Sequence, residues 1–237
     1  MLRGSRLLGM PVPTPIRWGA LGALVGFAVG LSAIAFAQPP PIDDGRMVVH
    51  ANDGAVDIVF LGDSLTGSWF ASSDSAGFRP QVIAAIEEQG FTVNASRADQ
   101  EGGRVAEVAA TANIPSDTDL VILELGTNDL WKTEERDFEE QYQDLVDMVR
   151  ETAPDAALLC LGVWGNGDAA RMLDVYISTP CTEAGGTFVP LWHLFVRNDT
   201  RGPAGVERYR GISDDFHPND HGYDLIAGLV LSGLRIE

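Results

Sequence analysis

The sequence predicts an α/β domain, a parallel sheet with helices on both faces. Three observations carry this. Short apolar runs alternate with stretches of helical periodicity from residue 55 onward. Several runs are nearly continuous hydrophobics, as in strands buried on both faces. Residues capable of chemistry fall just past the ends of those runs, where open α/β sheets form their sites.

The elements follow in order. Ala55-Val56-Asp57-Ile58-Val59-Phe60-Leu61 is a short strand that enters a turn at Gly62-Asp63-Ser64. Residues 79–89 repeat apolar side chains at Val82, Ile83 and Ile86, which predicts a helix stopping at Gly90. Residues 91–95 give a second strand and residues 105–111 a short alanine-rich helix. Residues 120–125 read as an apolar third strand ending in Gly126-Thr127-Asn128-Asp129. Phe138, Tyr142, Leu145, Val146 and Val149 share one face of a long helix. Residues 156–163 are a fourth strand, 169–184 a helix closed by Gly185-Gly186, and 187–191 a weaker fifth strand. Asn219 or Asp220 caps a last helix expected to run to Arg235.

The N-terminus has a different composition. Arg3, Arg6 and Arg17 precede or open an apolar stretch over residues 18–37, and the first acidic residue is Asp43. Ala35-Phe36-Ala37 supplies the small-x-small pattern of a signal-peptidase site, so residues 1–37 read as a signal peptide. The competing reading is an uncleaved membrane anchor, since 20 apolar residues can span a bilayer. Either way the domain lies outside the cytoplasm, exported or held at the cell envelope. Pro39, Pro40 and Pro41 open a linker placed at 38–54, and the folded domain is placed at 55–237.

The formal net charge of the 237 residues is −18. The first 37 residues contribute three arginines and no acid, so the remainder is more acidic still. Such a surface repels nucleic acid and anionic lipid, which leaves the N-terminal segment as the one route to a membrane. The two cysteines, Cys160 and Cys181, are a candidate disulfide in an exported protein; the alternative is a pair of buried thiols.

Ser64 is the candidate nucleophile. Gly62 permits a tight turn, and a helix starting beyond it would leave the hydroxyl near backbone N–H groups and a positive helix end. Asn128 offers an uncharged amide able to stabilise a developing oxyanion. Asp214 precedes His217 by three residues, so one turn brings carboxylate and imidazole to the same side, and Asp214 is preferred over its neighbour Asp215. His217 and His221 are four apart, a zinc-like spacing, but Pro218 and Asn219 interrupt any helix there and no third ligand follows, so no metal site is expected. His50 and His193 lack a partner motif.

Residues 60–66, 126–129 and 214–217 together resemble three of the four blocks of the SGNH hydrolases, also called the GDSL esterase/lipase family. The fourth, the glycine block, is irregular here. Glu101-Gly102-Gly103-Arg104 is its candidate, with Gly103 favoured and Gly102 open as the backbone donor. The resemblance implies a three-layer α/β/α sandwich with a five-stranded parallel sheet. It implies an oxyanion hole of the Ser64 N–H, the Gly103 N–H and the Asn128 side chain, with no metal and no organic cofactor. It also implies an acyl-enzyme on Ser64 that cleaves carboxylic esters. Asp63-Ser64-Leu65 does not fit the Gly-x-Ser-x-Gly elbow of α/β-hydrolases.

The expected substrate is a small-molecule or polysaccharide acyl ester, with O-acetylated carbohydrate foremost. Trp69, Trp131 and Trp164 each follow a strand end and are candidates for an aromatic rim; the plainer reading of each is packing. Two other functions fit the same motifs: an acyltransferase using the same chemistry, or a binding module that has lost turnover, the latter suggested by the irregular glycine block.

Overall fold

A computed structural model describes residues 45–237. The signal or anchor segment at 1–37, with its cleavage site and the proline stretch, lies outside the described residues. Among the described residues no helix is long and apolar enough to cross a membrane.

The element order is β1 (Met47–Val49), β2 (Ala55–Gly62), α1 (Phe78–Glu87), β3 (Thr92–Asp99), α2 (Val105–Ala109), β4 (Leu120–Glu124), α3 (Glu135–Thr152), β5 (Ala157–Leu161), α4 (Gly167–Glu183), β6 (Thr187–Val189), α5 (Trp192–Phe195), β7 (Glu207–Arg208), β8 (Gly211–Ile212), α6 (Asp220–Ser232) and β9 (Leu234–Ile236). Five strands form one sheet in the order β3-β2-β4-β5-β6. All neighbouring pairs in it are parallel. Chain order reverses beside β2, the topological switch at which such sheets bind ligands.

Strand side chains alternate between two cores, because successive residues point to opposite faces. Ile58, Phe60, Leu120, Ile122, Leu159 and Leu161 join a core with Phe78, Val82 and Ile86 of α1 and Tyr223, Ile226 and Val230 of α6. Val59, Leu61, Val121, Leu123, Leu158 and Cys160 meet Val105 and Val108 of α2, Phe138, Tyr142 and Val146 of α3, and Leu173 and Ile177 of α4. Two cores on one sheet are what a three-layer α/β/α sandwich requires. A disulfide joins Cys160 of β5 to Cys181 of α4, their Cα atoms 6.4 Å apart, tying the second core to its sheet.

Three expectations change. The stretch placed in a linker up to residue 54 contains β1, which pairs in parallel with β9. That pairing also ends the last helix early: α6 stops at Ser232, and Leu234–Ile236 is a strand rather than a final helical turn. Neither short strand shows a long enough pattern to be read locally, since each is specified by the other. Finally, no α-helix starts just beyond Ser64. Residues 64–70 form successive turns, with Gly67 N–H donating to Asp63 O and Trp69 N–H to Ser64 O. Ser68 and Phe70 both adopt φ of +59°, which an α-helix cannot contain.

Candidate active site

The turn after β2 is built on a close approach that only glycine allows. A Cβ on Gly62 would run into the side chain of Thr66. Thr66 in turn donates its backbone N–H (3.2 Å) and hydroxyl (3.0 Å) to Oε2 of Glu124, which also accepts the Asp63 N–H at 3.3 Å. Glu124 ends β4 in register with Gly62. One buried carboxyl group therefore gathers three donors of the serine turn.

Asp63 faces the same interior and is fully buried. Its Oδ1 accepts the Leu65 N–H at 2.9 Å, and its Oδ2 accepts the Asn128 side-chain amide at 2.8 Å. Burial raises the Asp63 carboxyl, opposed by its hydrogen bonds to Leu65 and Glu124. Burial raises Glu124 further, reinforced by the charge of Asp63. Burial therefore favours the protonated form more strongly at Glu124 than at Asp63, the carboxyl that accepts from Asn128.

Asn128 sits in the turn Thr127–Asp129, entered through Gly126 at φ +115°. Its amide has two N–H donors, and Asp63 takes one, so the other is free for a ligand. Asp129 fixes the turn from behind. Its Oδ2 accepts the Val105 N–H at 3.2 Å and its Oδ1 the Thr133 hydroxyl at 2.7 Å.

The third segment arrives from the loop before α6. Ser64 Oγ lies 3.0 Å from His217 Nε2 although the residues are 153 apart in sequence. His217 Nδ1 lies 2.8 Å from Asp214 Oδ2. A carboxylate only accepts, so Nδ1 carries the ring proton and Nε2 is left to accept from the Ser64 hydroxyl. Asp214 Oδ1 accepts the backbone N–H groups of Phe216 (2.9 Å) and His217 (2.8 Å). Burial pushes the Asp214 carboxyl upward, but the hydrogen bonds from the His217 amide and ring outweigh it and hold the group below the usual aspartate range. Asp215 turns elsewhere, its Oδ1 accepting the Ala204 N–H at 3.1 Å. The imidazole is walled by aromatic edges, Phe70 at 4.8 Å and Phe216 at 5.4 Å between ring centres.

Ser64 is 5% exposed, and its N–H has no partner among the described residues. The glycine block fares differently. The Gly103 N–H donates to Gln100 O at 2.9 Å, closing a turn. Gly103, expected to present that N–H to an oxyanion, has its donor committed here. Gly102 is exposed at φ +65°. The loop does reach the site's neighbourhood, since Gln100 N–H donates to Gly62 O at 3.2 Å.

His221 lies in the first turn of α6, its Nε2 3.7 Å from Asp199 Oδ2. Asn219 rather than Asp220 caps that helix, its side chain accepting the Gly222 N–H. Trp164 is fully buried and donates its indole N–H to Phe216 O at 2.8 Å, so it supports the histidine loop from the core. Trp69 is half-buried, while Trp131 is 86% exposed.

Sequence reasoning passed over Asp63 and Glu124. The signal for Glu124 was available: a carboxyl group in a run otherwise made of Leu, Val and Ile is rarely fully buried without a task.

The family model of the GDSL-like lipase/acylhydrolase family matches residues 60–225. The chain belongs to that family. It is a family of esterases and lipases, and this chain is an enzyme domain of that class. Solved structures agree on the fold. A family two carbohydrate esterase from Clostridium thermocellum in complex with cellohexaose is 17% identical, with a TM-score of 0.56, over 75% of this chain and 62% of that one. A two-domain esterase active on acetylated mannans is 23% identical, with a TM-score of 0.57, over 76% and 48%. The psychrotrophic esterase EstA from Pseudoalteromonas sp., inhibited by monoethylphosphonate, is 14% identical, with a TM-score of 0.60, over 75% and 95%. The chain thus spans less than two thirds of the first two structures. No curated protein matches the sequence.

Proposed function

We propose that this GDSL-family domain is an exported serine esterase that cleaves carboxylic esters, with O-acetyl groups of carbohydrate as the substrate class. The observation that carries the mechanism is the relay Asp214–His217–Ser64, with contacts of 2.8 and 3.0 Å. Ser64 Oγ attacks the ester carbonyl carbon while its proton passes to His217 Nε2, and the carbonyl π pair moves to oxygen. The oxyanion is met by the Ser64 N–H and by the free N–H of the Asn128 amide. Collapse breaks the bond to the alcohol oxygen, which takes the proton from His217. Water, deprotonated by the same nitrogen, then attacks the acyl-Ser64 carbonyl and releases the acid and the serine hydroxyl. Asp214 stays ionised and stabilises the imidazolium formed between these steps.

The carbohydrate assignment is supported by the two carbohydrate-active esterases among the structural relatives. Export is supported by the N-terminal sequence and by a disulfide of a kind that persists in oxidising compartments.

The test is hydrolysis of 4-nitrophenyl acetate by wild type and Ser64→Ala, together with labelling by an organophosphonate. Loss of at least 1000-fold in kcat/KM and of labelling is expected. Retained activity in the variant would remove Ser64 from the mechanism. Edman sequencing of the secreted form is expected to start at Gln38; a start at residue 1 would sink the cleaved signal.

A further inference from the structure

We propose that Trp131 and the cavity beside it form a sugar-ring subsite next to the ester-cleaving centre, so that the enzyme acts on a polysaccharide chain rather than on a monosaccharide ester. This deepens the reading above and rests on it for its place in catalysis. Trp131 exposes 86% of its surface and adopts φ of +67°. An exposed indole forgoes burial, and a left-handed backbone is strained for a bulky residue, so the residue contributes neither core packing nor backbone comfort. Strain retained without packing return is the mark of a residue kept for contact with something else.

The loop that carries the indole is nevertheless tied down at its start. Lys132 N–H and Thr133 N–H both donate to Asp129 O at 3.0 Å, and the Asp129 side chain is anchored to Val105 and Thr133. Asp129 is 1% exposed, so the base of the loop is fixed. Trp131 follows Asn128 by three residues, which limits their Cα separation to about 11 Å. An indole at that range suits a ring adjoining the acylated one.

The cavity holds about 250 Å³ and combines apolar and polar walls. Trp131 and Met172 supply apolar surface, while Lys132, Thr133, Glu134 and Glu135 supply charged and hydroxyl groups. A pyranose has the matching anatomy, with C–H faces that lie on an aromatic ring and hydroxyls around its edge that bond to such side chains. A fatty acyl chain would use only the apolar part of this lining and leave its polar groups without a ligand partner.

Two measurements test the subsite. The first is calorimetric binding of mannohexaose, xylohexaose and cellohexaose to Ser64→Ala and to Ser64→Ala/Trp131→Ala, which needs no turnover. At least one oligosaccharide is expected to bind the single variant and to bind the double variant at least tenfold more weakly. The second is the ratio of kcat/KM on an acetylated oligosaccharide to that on 4-nitrophenyl acetate. It should fall at least tenfold in Trp131→Ala and recover partly in Trp131→Phe. Equal binding by both proteins, or no binding of any oligosaccharide, overturns the subsite. So does a change in oligomeric state with Trp131→Ala, which would assign the indole to a protein interface. Failure of 4-nitrophenyl acetate hydrolysis in wild type would instead strike the esterase reading, leaving the binding arm to decide the subsite.

Discussion

The loops after β2 and β4 and the loop after β3 leave the same edge of one sheet, yet they are built in opposite ways. β2 and β4 are hydrogen-bonded on both sides, and their loops are closed around the buried carboxyls Asp63 and Glu124. β3 is an edge strand, largely exposed along its length, and its loop carries Gly102 in the open. The contrast teaches where accuracy in a site comes from. Groups that must hold a hydroxyl and an amide within tenths of an ångström ride on strands locked by two neighbours. An edge strand locked by one neighbour supports a loop that closes on itself through Gly103 and Gln100.

The largest expected effect lies on the locked side. Asn128→Ala removes the side-chain donor proposed for the oxyanion and should lower kcat by about 10²–10³ with little change in KM. A change below threefold would mean that the amide serves only to bind Asp63. Next is the carboxyl pair. Glu124→Ala strands the Asp63 N–H, the Thr66 N–H and the Thr66 hydroxyl, and should cost about 3 kcal/mol in urea denaturation. Glu124→Gln keeps an acceptor and mimics the neutral acid, so it should retain most stability and activity near pH 7. If Gln proves as damaging as Ala, Glu124 works as a charge.

The open loop should respond more weakly. A Cβ on Gly103 would meet Gln100 O and Gln100 Cβ, both at 2.9 Å, so Gly103→Ala should cost about 1–3 kcal/mol of stability. Gly102→Ala meets no atom within 4 Å and pays only for its left-handed backbone, about 1 kcal/mol. Neither should lower kcat more than tenfold. A hundredfold fall for Gly103→Ala in folded protein would return its N–H to the oxyanion hole.

The effect on catalysis is smallest at a buried acid with no nucleophile beside it, which should show in stability alone. Asp174 on α4 accepts the Val163 N–H at 2.8 Å, just past β5, and burial pushes its carboxyl up to about 6. The folded state then holds a proton that the unfolded chain releases near pH 4. Asp174 therefore favours folding at low pH, and that contribution is lost as pH rises through about 6. The stability of Asp174→Asn relative to wild type should rise between pH 4 and 6 and level off above. A flat difference across pH 4–8 would show that this acid titrates alike in both states.

Much of this was legible in residues alone. β2, β4 and β5 are apolar enough to be read as strands, and α3 shows its buried face in Phe138, Tyr142, Leu145, Val146 and Val149. The edge strand β3 was read short, ending at residue 95 where the structure continues to Asp99, because Ser96 and Arg97 face solvent and leave no hydrophobic alternation. Trp164 and Trp131 occupy the same sequence context, each just past a strand end, and lie at opposite extremes of exposure.

Residue order alone determined the candidate groups. A serine, an amide, and a carboxylate three places before an imidazole were named without coordinates, because each motif is short and its chemistry is intrinsic to the side chains. Only tertiary packing decided what those groups face. That the imidazole meets Ser64 across 153 residues, that Glu124 gathers the serine turn, and which indole reaches solvent all depend on contacts between segments far apart in the chain, and local pattern holds no record of them.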